Sequence, residues 1–196
     1  MTSRGWSLSP HEDWQHVADD VLLGCAARGD AAAIDAFVQR FGDRLCSFLV
    51  RIVRDHAWAD DLVQEVFVRV LRDAHRYDPA WPVTVWLFRI GRNLALDLLR
   101  REGAHRGRLD QLASQPPGAA PAAVTTAEHR EFQVALEAAL QQLPETFRSV
   151  FLLRDGEGLA YEEIGAVLGI SVKTVSSRLH RARQQLRGSL AEHYSR

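Results

Sequence analysis

Apolar positions along the chain recur at helical spacing almost throughout, and the strict alternation of a strand is nearly absent. Val172, Val175, Leu179, Ala182 and Leu186 stand three or four places apart, which is one face of an α-helix. The same periodicity predicts helices over 19–28, 31–54 (with Gly42 as a candidate break), 58–74 and 84–101. Further on it predicts 128–142, 144–154, 161–168 and 172–190. Residues 103–127 break the pattern with Pro116, Pro117, Pro121 and three glycines. Proline removes a backbone donor and ends helices, so this stretch reads as a flexible linker. The expectation is an all-α chain of two small helical domains, residues 18–102 and 128–192. Residues 1–17, with Trp6 and Trp14, read as a tail, a small partner-binding element being the alternative.

The last two helices carry a distinctive pattern. Ile164, Val167 and Leu168 supply the apolar side of a short helix that ends at Gly169. Ser171 is suited to cap the next helix, whose positive dipole end then lies at the turn. At about 100° per residue, Ser177, Arg181, Thr174, Lys173 and His180 point away from the apolar stripe and Ser176 lies on its flank. A helix, a glycine turn and a basic helix make a helix-turn-helix, whose second helix enters the major groove. Arg178 and Arg183 flank the stripe and are expected to meet phosphates or Glu162 and Glu163.

Composition changes the picture only locally. The formal net charge of the 196 residues is −1, which points to no class of partner. Residues 171–190, however, hold Lys173, Arg178, Arg181, Arg183 and Arg187 and no acidic residue, so positive charge is concentrated on the last helix. Cys25 and Cys46 are the only cysteines, with neither a disulfide framework nor zinc spacing, and read as two buried thiols in a reducing cytoplasm. No apolar run is long enough to span a bilayer, and residues 1–16 lack the apolar stretch of a signal peptide. The eight histidines form no cluster with carboxylates, and no nucleophile motif occurs. An enzyme is therefore disfavoured, and no cofactor or metal is expected.

Two further segments carry chemistry. In 60-DDLVQEVFVRVLRD-73 one arc is apolar, while the opposite arc holds Asp61, Glu65, Val68 and Arg72, with Gln64 and Arg69 at its edges. A valine centred in a charged stripe suggests a surface that docks another protein. In 86-WLFRIGRNLALDLLRR-101 the residues Trp86, Leu87, Ile90, Leu94 and Leu98 face a core. Arg89, Arg92, Asn93 and Arg100 share the other side, and Asp97 is placed to pair with Arg100 or Arg101. An aromatic loop with Tyr77 and Trp81 precedes this helix. Arginines, an asparagine and aromatics together suit single-stranded nucleic acid, whose bases stack and whose backbone needs neutralising.

These segments, followed by 143-LPETFRSVFLLRDGEGLAYEEIGAVLGISVKTVSSRLHRAR-183, resemble in order and separation the extracytoplasmic-function sigma factors of bacteria. The resemblance implies two helical domains, σ2 and σ4, with no σ3 between them. It implies that Asp61, Gln64, Glu65 and Val68 dock on the β′ clamp coiled coil of core RNA polymerase, with σ4 at the β flap. It assigns Tyr77, Trp81 and Asn93 to capture of a flipped base of the minus-ten element, and Arg89, Arg92 and Arg100 to DNA nearby. Lys173, Thr174, Ser176, Ser177, His180 and Arg181 fall to the minus-35 element. Promoter DNA and an anti-sigma factor are the further partners implied, without membrane insertion. Many members carry Phe three residues before the tryptophan of the WL pair; Val83 stands there in this chain, after Pro82. An autonomous repressor or response-regulator output domain would share the last helices. It should have a receiver or ligand-binding domain in front, and the first block shows no βα alternation.

Overall fold

The structure, a computed structural model, describes the backbone of residues 14–106 and 127–194. Eight α-helices and no strand occur among the described residues. The first block comprises α1 (Asp19–Ala27), α2 (Ala31–Val53), α3 (His56–Arg72) and α4 (Val83–Arg106). The second comprises α5 (Ala127–Gln142), α6 (Glu145–Phe151), α7 (Tyr161–Leu168) and α8 (Val172–Tyr194). The helix α4 runs to Arg106, beyond the expected linker start at 103, and residues 107–126 lie outside the described ones.

Local chemistry sets the boundaries. The Asp30 carboxylate accepts from the Ala33 amide at 3.0 Å and starts α2. Asp55 does the same for the Trp58 amide at 3.0 Å, so α3 begins two residues before the expected start. Gly42 does not break α2. The stripe Phe37, Phe41, Leu45, Phe48, Leu49 and Ile52 is buried on both sides of it, and this packing outweighs a glycine penalty of about 1 kcal/mol. The core of the first block is aromatic, with Phe48 edge-on to Phe88 at 5.1 Å and Phe37 edge-on to Phe67 at 5.9 Å.

Gly91 lets α4 lie close to its neighbours. A β-carbon there would stand 3.1 Å from Leu45 Cδ1 and 3.5 Å from Leu49 and Val66. Trp14 is not part of a free tail. It lies in a short 3-10 turn, packs against the core, and its carbonyl accepts from Arg40. Cys25 is buried and Cys46 half-buried, its thiol facing Asp60. The two blocks pack on each other, chiefly α7 on α4 and α6 on α2, and their buried apolar residues form one continuous cluster.

Candidate nucleic-acid interfaces

The hinge between α3 and α4 builds a concave face. The Tyr77 hydroxyl donates to the Trp81 carbonyl at 2.7 Å, and the Asp78 carboxylate accepts from the Ala80 amide at 3.0 Å. The loop is thereby folded back on itself. Burial, with Asp20, Asp19 and Asp78 nearby, pushes the Tyr77 phenol up, so it stays a donor. Val83 is buried, and the Tyr77 ring lies 5.7 Å from that of Trp86.

Two adjoining hollows share Trp86 and Arg89. One is closed by Tyr77 and Trp81; the other runs between the end of α3 and α4 and reaches Asn93. Arg89 and Asn93 are exposed. Tyr77, Trp81 and Arg89 line one hollow and Arg89 and Asn93 the other, so the four lie around Trp86. Arg100 lies farther along α4, exposed and paired with Asp97. Arg92 is turned the other way, against the second block. Sequence reasoning missed Arg69, Arg72 and Arg76 on the far wall. Their three- and four-residue spacing was visible, but its proximity to α4 was not.

On the outer arc of α3, Asp61, Gln64 and Glu65 are exposed and Val68 is 58% exposed. Glu65 is not unattended: Arg69 Nε donates to it at 2.5 Å.

The convex face belongs to α8. Gly169 ends α7 in the left-handed region at φ 67°, and the Ser171 hydroxyl oxygen accepts from the Thr174 amide at 3.2 Å. Gly165 permits the tight turn, since a β-carbon there would sit 2.9 Å from the Ile170 carbonyl oxygen. Arg154 braces the segment before α7 by donating to the Leu159 carbonyl at 2.7 Å and lying over the Tyr161 ring. Val175, Leu179, Ala182 and Leu186 are buried, while Lys173, Ser176, Ser177, His180 and Arg181 are exposed. Thr174 is half-buried, and its hydroxyl is 2.9 Å from that of Ser171.

Two expectations for α8 need correction. Val172 is 41% exposed, because it is the first helical residue and helical side chains lean towards the N-terminus, past the neighbours that cover Val175. Arg183 meets neither Glu162 nor Glu163; it pairs with Asp155 at 2.6 Å, and that hydrogen bond raises its pKa further.

A family model for sigma-70 region 2 matches residues 37–105, and one for sigma-70 region 4 matches residues 133–186. The ECF RNA polymerase sigma factor SigE of Mycolicibacterium smegmatis is 41% identical over 192 residues, covering 93% of this chain and 73% of the relative. The chain belongs to the extracytoplasmic-function sigma factors. The solved structure of CnrH in complex with the cytosolic domain of CnrY is similar over 90% of this chain and 99% of that one, at 30% identity and TM-score 0.67. The sigma factor RpoE of Bartonella quintana, solved with the anti-sigma factor NepR, covers 79% of this chain and 96% of its own, at 25% identity and TM-score 0.69. As a sigma factor the chain serves transcription initiation and is not an enzyme. Every candidate DNA- or polymerase-binding residue on α3, α4 and α8 falls within the two matched regions. No helix among the described residues is long and apolar enough to cross a membrane.

Proposed function

We propose that the blocks 18–102 and 128–192 divide promoter recognition between them, in the cytoplasm and on core RNA polymerase. The concave face takes the minus-ten element. Tyr77 and Trp81 wall a hollow for one unstacked base, Asn93 reads an edge with an amide that both donates and accepts, and Arg89 and Arg100 neutralise backbone. Flipping a base costs a few kcal/mol, which stacking and pocket contacts offset. The convex face of α8 takes duplex DNA at the minus-35 element, with Ser176, Ser177, His180 and Arg181 towards base edges and Lys173 and Thr174 at the positive end of the helix. Asp61, Gln64, Glu65 and Val68 dock on the β′ clamp coiled coil, and the second block meets the β flap. An anti-sigma factor is the expected regulatory partner, as in the complex solved for RpoE.

The observation that carries this reading is the convergence of Tyr77, Trp81, Arg89 and Asn93 around Trp86. Asn93→Ala should form holoenzyme normally and open a cognate promoter about tenfold less, as one lost edge contact implies. Permanganate footprinting of the melted bubble measures it, and a normal footprint excludes Asn93 from base capture.

A further inference from the structure

The hollow that reaches Asn93 holds more than one unstacked base calls for. It encloses about 340 Å³ between α4, the end of α3 and the 3-10 turn Ala74–Arg76, a volume within the range of small-ligand cavities. The helix α4 lays two rows along it, each with a four-residue step. Trp86, Ile90 and Leu94 form an apolar row, and Arg89, Asn93 and Asp97 a polar one. The facing wall is cationic, with Arg69, Arg72 and Arg76 against a single carboxylate, Asp73.

Most of these charges are already matched. Arg69 Nε donates to Glu65 at 2.5 Å, Arg72 pairs with Asp73 at 3.0 Å, and Asp97 pairs with Arg100. Arg76, Arg89 and Asn93 are left over. All three are exposed, and none has a side-chain hydrogen bond or ion pair among the described residues. The two guanidiniums come from different walls, and each can take a phosphate through two parallel N–H donors. The Asn93 amide donates and accepts, which is the pattern that meets N6 and N7 of adenine on one edge. The apolar row gives a flat ring a floor. A DNA strand offers one phosphate per nucleotide, whereas two unmatched guanidiniums in one hollow suit adjacent phosphates on a single ribose.

We propose that this hollow binds a free adenine nucleotide bearing a 5′-diphosphate. The base lies on the Trp86–Ile90–Leu94 row with its edge on Asn93, and the diphosphate is held between Arg76 and Arg89. Binding of the nucleotide needs neither promoter nor polymerase. Its regulatory consequence rests on the reading of α4 given above: Asn93 and Arg89 cannot hold the nucleotide and the minus-ten strand together, so the two ligands exclude each other.

Isothermal titration calorimetry of the full chain with ADP, GDP, adenosine and inorganic pyrophosphate tests the site. ADP should bind one to one. GDP presents two acceptors on the edge that Asn93 meets, and should bind about tenfold more weakly. Adenosine and pyrophosphate, each lacking half of the contacts, should be weaker still. Arg76→Ala should lose about tenfold for ADP, as one charge-assisted contact implies, and Asn93→Ala should bring ADP to the level of GDP. Both residues are exposed, and far-UV circular dichroism checks that the variants keep their helices. No binding at millimolar ADP overturns the proposal. So does GDP or pyrophosphate binding as tightly as ADP, which leaves an anion site only, and so does an unchanged ADP affinity in Arg76→Ala, which puts the nucleotide elsewhere. The exclusion is read in holoenzyme by permanganate footprinting, with ADP added before promoter. ADP should diminish the bubble, and Arg76→Ala, which alters no residue assigned to the strand, should need about tenfold more of it. A bubble indifferent to ADP strikes the exclusion and leaves the nucleotide site. A normal bubble in Asn93→Ala without ADP strikes the base-capture reading instead, whatever calorimetry shows.

Discussion

The hollow beside α4 and the outer face of α8 differ in shape before they differ in chemistry. The first is recessed, one hollow walled by Tyr77, Trp81, Trp86 and Arg89 and an adjoining one by Trp86, Arg89 and Asn93. The second projects, and its Ser176, Ser177, His180 and Arg181 stand on a helix whose reverse side is buried. A recess accepts a base only after the base has left its stack, whereas a projecting helix fits a groove whose pairs remain intact. On the function proposed above, shape separates a single-stranded from a double-stranded target. The arginine content of the two faces would not.

The faces also differ in how much slack their backbones have. The turn before α8 brings Gly165 against the Ile170 carbonyl, whereas Gly91 behind the hollow faces the ends of Leu45, Leu49 and Val66 side chains. Gly165→Val should therefore destabilise the second block by about 3 kcal/mol, since bulk there must displace backbone. Gly91→Ala should change stability by less than about 1 kcal/mol, because leucine ends can shift and alanine favours the helix. Thermal unfolding of the two variants decides this. Equal losses would mean that the two faces are equally rigid.

A smaller effect separates contacts within α8. Arg181→Ala should compress differences among single-base minus-35 variants by roughly 1–3 kcal/mol at one or two positions. Lys173→Ala should weaken all of them alike and flatten the salt dependence. Equal and uniform losses from both would reduce Arg181 to a phosphate contact and move base reading to its neighbours.

The smallest effect is expected on α3, outside both faces. Glu65→Arg should lower affinity for core polymerase about fivefold through like-charge contact at the interface, with the fold retained because Glu65 is exposed. The change also removes its bond to Arg69, so circular dichroism should accompany the core titration. Unchanged core affinity would count against docking on this arc.

Most of this architecture is legible from periodicity, because a buried stripe leaves its spacing in the sequence. The helices α2, α7 and α8 and the Ser171 cap follow from that alone. What escapes is whatever depends on a second segment far along the chain. A helical wheel places Arg92 opposite the core of its own helix, correctly, but a face covered by another block through Arg–Glu pairs has the composition of a solvated one. Trp14 escapes for the same reason, since the Arg40 that holds it lies 26 residues away. Arg72 reads as part of a docking arc, and Arg69 as its edge, until α4 is laid beside them.

The arginine contacts between the two blocks also carry a timetable. Arg92 and Glu145 are separated by 53 residues, Arg51 and Glu137 by 86. Contacts inside the first block join α1, α2, α3 and α4 to one another, and every partner in them is made before Glu145. At 5–20 residues per second a ribosome needs roughly 3–10 s to pass from Arg92 to Glu145, longer than small helical bundles take to fold. The nascent first block therefore folds with Arg51, Arg54 and Arg92 still facing water. During that interval these three arginines stand as local positive charge beside the polyanionic ribosome and messenger, without the Glu137, Gln141 and Glu145 groups that later pair with them.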